Sequence, residues 1–179
     1  MFEMTKTKYV VSGGIAFSEK KDLQVLKNFA AKGWIVKRYK RMGYELEKRE
    51  PELVDYSIDI RNLADDDEDK DEYFAMFEFA GWEHVCSRYD THLFKAPVGT
   101  TPIYSDNTSK ADKLLRMRKS IVPAVYIAAL LTLVSYFVMV FAEGTFVEIA
   151  KWSFNVFIVL LFPCVLMYIA LTYRSMRLQ

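Results

Sequence analysis

Two long uncharged segments close this sequence. Ile121–Phe141 and Ser153–Tyr173 are each 21 residues without Asp, Glu, Lys, Arg or His. As helices rising ~1.5 Å per residue, each is about 31 Å long, close to the hydrocarbon thickness of a bilayer. A soluble helix of that length carries a polar stripe against water, and these two have no charged face to offer. The expectation is a membrane protein: a two-helix transmembrane hairpin behind a larger water-soluble N-terminal domain.

The flanks orient the hairpin. Lys110, Lys113, Arg116, Arg118 and Lys119 precede the first span, and Arg174 and Arg177 follow the second. The connecting loop, Ala142–Trp152, holds Lys151 against Glu143 and Glu148. Basic flanks stay on the cytoplasmic side, so a multi-pass cell-membrane protein with both termini in the cytoplasm is expected. Trp152, Tyr168 and Tyr173 stand where an interfacial aromatic belt would. Met1–Phe17 carries Lys6 and Lys8, but its apolar stretch is broken by Ser12, Gly13 and Gly14. No cleavable signal peptide is therefore expected.

Charge divides unevenly, with a net of −4 over residues 1–108 and +5 over 109–179. An acidic domain repels phosphate backbones, which argues against nucleic acid as a partner. The basic excess lies at the membrane edge, where it favours anionic headgroups. Cys86 and Cys164 fall in different regions, and a reducing compartment leaves them unpaired.

The soluble part contains an internal repeat offset by 48 residues. Phe29-Ala-Ala-Lys-Gly-Trp34 recurs as Phe77-Glu-Phe-Ala-Gly-Trp82. Leu26 aligns with Phe74, Leu46 with Phe94 and Val10 with Ile58, while Ile35 aligns with either Val85 or Glu83. Each copy reads strand, helix, strand, strand. In the first, Lys8–Ser12 is a strand, Ser18 is a candidate N-cap, and Leu23, Leu26, Phe29 and Ala30 form an apolar stripe. Trp34–Tyr39 and Tyr44–Lys48 make a hairpin. In the second, the strand is Asp55–Arg61, the helix Asp71–Ala80, and the hairpin Trp82–Ser87 with Thr91–Lys95. Gly33 and Gly81 end the helices. Two such units predict an α+β two-layer sandwich of ferredoxin-like shape, with both helices on one face of a shared antiparallel sheet. The domain is expected over 1–97, with repeat units at about 8–48 and 56–96. A linker follows over 98–108, then a basic juxtamembrane helix over 109–120, spans over 121–141 and 153–173, and a tail over 174–179.

Few side chains suggest chemistry. His84, Cys86 and His92 are the one cluster with metal-capable types. Strand alternation sends His84 and Cys86 one way and His92 the other, so four ligands do not converge and no metal is expected. The run Asp65–Glu72 has Lys70 and Met76 where a calcium loop needs Gly and Glu, which leaves an exposed acidic loop favouring the next helix start. Lys32–Tyr39 lacks the paired aromatics of an RNA-binding strand. Trp34 and Trp82, directly after the helix-ending glycines, could line an aromatic pocket between the units or anchor the core. Asp59 and Arg61 could pair with a ligand or with each other. No nucleophile–base or paired-carboxylate spacing is present, so neither catalytic residues nor cofactors are expected.

Five stretches carry a family likeness: Phe29–Trp34, Gly43–Lys48, Tyr56–Leu63, Tyr73–Ser87 and Ile103–Asp106. They carry a Lys-Gly-Trp helix end, a Gly-Tyr-x-Leu-Glu strand near the family's Gly-x-Tyr-x-Phe/Leu-Glu, a Tyr-x-Ile-Asp strand, a Phe-x-x-Ala-Gly-Trp-Glu step and an Ile-Tyr-Ser-Asp piece before Ser109-Lys110. In these the chain resembles the bacterial family of domain of unknown function 2812, typical of Gram-positive organisms and often carrying C-terminal spans. The hairpin at Arg88–Thr91 departs from the family's Gly-Gly-Trp-like step. The resemblance implies no activity. The expected function is that of a non-enzymatic, membrane-anchored binding or regulatory protein, whose cytosolic domain takes a partner protein or a small ligand. The alternative is an accessory subunit of a transporter or other membrane complex.

Overall fold

A computed structural model describes residues 6–63, 67–141 and 143–178. The chain divides into two compact units between Ser105 and Asp106. The first contains β1 (Thr7–Val11), α1 (Ile15–Ala30), β2 (Trp34–Lys40), β3 (Gly43–Lys48), β4 (Val54–Ile60), α2 (Asp67–Phe79), β5 (Glu83–Arg88) and β6 (Thr91–Pro97). The second contains α3 (Asn107–Phe141) and α4 (Thr145–Met176).

The α+β class and the duplicated strand-helix-strand-strand order hold. The strands form two antiparallel three-stranded sheets, ordered β1-β3-β2 and β4-β6-β5, in place of one shared sheet. In both, the last strand of the repeat is central. The offset of 48 is kept residue by residue through both hairpins: Val36 faces Leu46 as His84 faces Phe94, and Tyr39 faces Tyr44 as Ser87 faces His92. Ile35 therefore corresponds to Glu83. Each ladder slips once at the same place, between Val36 and Arg38 and between His84 and Cys86. Such bulges add local twist, consistent with β2 and β5 lying close without joining one ladder.

Glycine sets the helix exits. Gly33 and Gly81 have φ of +74° and +85°, which a Cβ disfavours. At Gly33 a Cβ would also stand 2.5 Å from the Arg49 carbonyl oxygen. The turns are followed by Trp34 and Trp82 at equivalent positions of the two repeats. In repeat two Tyr73, Phe77, Trp82, Phe94 and Ala96 form a buried cluster, joined by Leu63, Phe74 and Ile103. In repeat one Leu26, Ala30, Val36, Tyr44 and Leu46 are buried. Helix α1 packs on both β2 and β4, so it ties the repeats together. The Lys27 ammonium pairs with Asp55 at 2.5 Å, and the Glu52 amide donates to the Ala30 carbonyl.

Several expected boundaries move. Helix α1 begins at Ile15 with Gly14 at its N-cap, and Ser18 lies inside it. The Ser12 hydroxyl donates to the Asp22 carboxylate and accepts from the Gly14 amide, which fixes the earlier start. Helix α2 starts four residues before Asp71, while Asp65 and Asp66 of the acidic run lie outside the described residues, as do residues 1–5. The expected linker is partly built into the domain. Ile103 packs on the core, the Trp82 indole N–H donates to the Thr101 carbonyl at 2.9 Å, and the Tyr104 hydroxyl donates to Asp59.

In the second unit the basic segment and the first apolar segment are one helix, α3, which continues through Pro123. Asp106 starts it by accepting from the Ser109 amide at 2.8 Å, and that bond holds its carboxyl below the usual range. Helices α3 and α4 pack against each other. Only 11% and 6% of their most apolar windows are buried, whereas the core helix of a soluble protein is mostly buried. Both are long and apolar enough to cross a membrane, which points to membrane association. Their hydroxyls satisfy themselves along the helix: Thr132 donates to Ala128, Ser135 to Leu131 and Thr172 to Tyr168. This suits a solvent without hydrogen-bond partners.

Candidate ligand cleft

A cleft of about 300 Å³ opens where three loops of the first unit converge. Ser12, Gly14 and Ile15 come from the β1–α1 turn. Tyr39, Arg41, Met42, Gly43 and Tyr44 come from the tip of the β2–β3 hairpin, and Arg88, Tyr89 and Thr91 from the tip of β5–β6. Its size is at the lower end of small-molecule sites, roughly 300–1,000 Å³. Arg88 holds the two hairpin tips together, donating to the Lys40 and Arg41 carbonyls at 2.8 Å each. Gly43 is required here because a Cβ would stand 2.0 Å from the Val10 carbonyl oxygen on the adjacent strand.

The tyrosines give the cleft its character. Tyr39 and Tyr44 face each other across the hairpin with ring centroids 5.2 Å apart. Tyr44 is 1% exposed, and no partner meets hydrogen-bond geometry at either hydroxyl, although Ser12 lies near enough to Tyr44 to pull its pKa down against the larger effect of burial. Burial raises both phenols well above the ordinary range. Further upward pushes come from each other's neighbourhood: Tyr44 and Cys86 act on Tyr39, and Asp22 and Cys86 on Tyr44. The nearby Cys86 thiol is itself pushed up to about 12 by burial. Both phenols therefore stay protonated and keep their donor protons.

The residues anticipated from sequence do not line this cleft. Trp34 is half-buried in its own repeat, with the Lys8 and Lys48 ammoniums 4.7 and 5.4 Å from its ring. Trp82, 3% exposed, lies in the core of the other repeat. Asp59 is buried and accepts from Tyr73 at 2.6 Å and from Tyr104, while the Arg61 guanidinium lies 5.2 Å from the Tyr73 ring centroid. Asp59 and Arg61 are thus gathered around Tyr73. The cleft residues were missed because they converge only through the fold. The available signals were Gly13-Gly14 at a strand-to-helix turn and two hairpin tips at the repeat offset.

The two histidines need a correction. Alternation separates His84 from His92, but the bulge before Cys86 turns His84 to the His92 side. Their rings are 6.4 Å apart, and the Ser87 hydroxyl bridges them at 2.7 Å to each. His92 Nε2 lies 3.0 Å from the Arg61 carbonyl, which can only accept. His92 Nδ1 then accepts from Ser87, and Ser87 accepts from His84 Nε2–H. Among the described residues no three His, Cys, Asp or Glu side chains form a metal site.

This chain gives a pH prediction. Burial, then His92, lowers the His84 pKa, so the folded imidazole holds a proton less readily than the unfolded one. Stability therefore rises with pH up to the unfolded value of about 6.5, and is lost as pH falls below it. The urea midpoint should drop between about pH 7.5 and about pH 5.5, and His84→Gln should flatten that slope. An unchanged slope would remove His84 as its source. Glu45, held low by Lys40 and Arg38, and Glu47, held low by Lys37 and Arg49, act in a separate window, losing their contribution only below about pH 4.5.

A family model described as protein of unknown function (DUF2812) matches residues 18–126. No curated protein and no solved structure matches the chain.

Proposed function

We propose, from the premise that the chain belongs to the DUF2812 family, that it is a non-enzymatic, membrane-anchored binding protein. Its hairpin crosses the cell membrane twice with both termini in the cytoplasm, and its α+β domain takes a small ligand in the cleft at the hairpin tips. One observation carries this reading: Tyr39 and Tyr44, whose buried hydroxyls have no hydrogen-bond partner, both line an open cleft. A buried hydroxyl without a partner costs stability in the folded state, and a ligand acceptor would relieve that cost. The basic flanks of α3 and α4 support the orientation.

Two measurements test the proposal. Gly144→Cys, in the loop between α3 and α4, should react in intact cells with a membrane-impermeant maleimide. Cysteine placed at Asn107 should react only after lysis, and the reverse pattern would overturn the orientation. A thermal-shift screen of the detergent-solubilised full chain should find small molecules that raise its melting temperature, because a ligand of the folded state stabilises it. Binding that survives filling of the cleft by Gly14→Trp would refute the location.

A further inference from the structure

The cleft's lining specifies more than a ligand of the right size. Two guanidinium residues, Arg41 and Arg88, stand among its lining residues, and among the described residues no Asp or Glu does. Arg88 spends part of its fork on the Lys40 and Arg41 carbonyls, which accept hydrogen bonds but leave its charge in place. The N-terminal end of the 16-residue helix α1 opens on the same space through Gly14 and Ile15. Its N-cap, Gly14, makes no side-chain cap bond and its first turn holds no acidic residue, so the helix end directs its partial positive charge to this space. Among the described residues the nearby acids include Glu19, which acts on both Tyr39 and Tyr44, Asp22, which acts on Tyr44, and Asp90, between the lining residues Tyr89 and Thr91. Asp22 is engaged by the Ser12 hydroxyl and the Gly13 amide, and Glu19 lies on α1 outside the lining.

The remaining walls are apolar or aromatic: Ile15, Met42 and the rings of Tyr39, Tyr44 and Tyr89. Tyr44, 1% exposed and without a partner for its hydroxyl, supplies a buried donor. Resting on the cleft reading above, we infer that the ligand is a small water-soluble organic acid: a carboxylate met by Arg41, Arg88 and the Tyr44 hydroxyl, on an aromatic or apolar body packed among the tyrosine rings. At about 300 Å³ the space suits one ring and a short chain, and it is too small for lipid acyl tails.

The test uses the full chain in nonionic detergent, with 3-phenylpropionate and its neutral amide as probes. The acid should raise the melting temperature and the amide should not, at equal concentration. Arg41→Gln should weaken binding of the acid about tenfold, the scale of one charge-assisted hydrogen bond. Tyr44→Phe should weaken it too, while its unliganded melting temperature stays at or above that of the parent, because the variant deletes an unpaired hydroxyl. That second readout separates lost recognition from lost folding. Equal stabilisation by acid and amide overturns the anion inference and leaves the cleft reading standing. Stabilisation by neither overturns both. An acid effect untouched by Arg41→Gln and Tyr44→Phe places the anion elsewhere and overturns the inference. Loss of the acid effect in nanodiscs of phosphatidylglycerol, with retention in phosphatidylcholine, identifies a lipid headgroup as the anion and overturns the soluble acid.

Discussion

Truncating Phe94 to alanine should destabilise the first unit by about 3–5 kcal/mol, the usual range for a fully buried aromatic. Phe94 is 0% exposed and lies on β6, the central strand of its sheet. Its ring stacks on Phe77 at 4.3 Å, and the Tyr73, Phe74 and His84 rings stand within 6.2 Å of it. Deleting the ring removes contacts from several neighbours together. With β4 hydrogen-bonded on one side and β5 on the other, the backbone cannot collapse into the gap, so the cavity cost adds to the transfer cost. The internal control is Phe79 on α2. It is 97% exposed, and Phe79→Ala should change stability by less than about 0.5 kcal/mol. Urea titration of the detergent-solubilised full chain, followed by tryptophan fluorescence, gives both numbers as midpoint shifts at constant slope. A Phe94→Ala cost below about 1 kcal/mol would mean that the aromatic cluster is not the core of repeat two.

The same residue shows what sequence reading reaches. Phe94 aligns with Leu46 at the repeat offset on an expected strand, and the two ladders keep that match. Periodicity and repetition are local signals, and they suffice for element order, hairpin register and helix exits. They fail where a single residue of slip changes a face. The bulge before Cys86 brings His84 to His92, and nothing in His84-Val-Cys86 announces it. They fail again where separate loops converge. Arg88 is an unremarkable hairpin residue until its guanidinium meets the carbonyls at the tip of another hairpin. Tyr39 and Tyr44 read as strand aromatics, and only the packed structure shows that their hydroxyls have no partner. The cleft was therefore illegible because its residues share no segment and no period. The apolar hairpin was legible because its signal is length and lack of charge, which survive any arrangement of neighbours.

Asp59→Ala should cost about 3–5 kcal/mol, although the deleted side chain is small. The carboxylate is 4% exposed and accepts from the Tyr73 hydroxyl at 2.6 Å and from the Tyr104 hydroxyl. Removing it forfeits two charge-assisted bonds from phenolic donors, at roughly 1.5–3 kcal/mol each. The site also joins two stretches that are far apart in sequence, the Tyr56–Asp59 strand and the Ile103–Asp106 piece. Tyr104 is held by Asp59, Ile103 packs on the aromatic cluster, and Thr101 accepts from Trp82. Loss of the carboxylate should consequently loosen residues 101–104 before it unfolds the strands. Limited proteolysis should then cut the Asp59→Ala chain near Thr101–Ser105 at a protease dose that leaves the parent intact. A Tyr73→Phe, Tyr104→Phe double variant removes two donors from a buried carboxylate, so it should also be destabilised. Adding Asp59→Ala to that double variant should cost much less than Asp59→Ala alone, because the bonds the three share are already gone. If the three changes instead sum, the carboxylate and the two tyrosines act independently, and residues 101–104 are held by Trp82 and Ile103 alone.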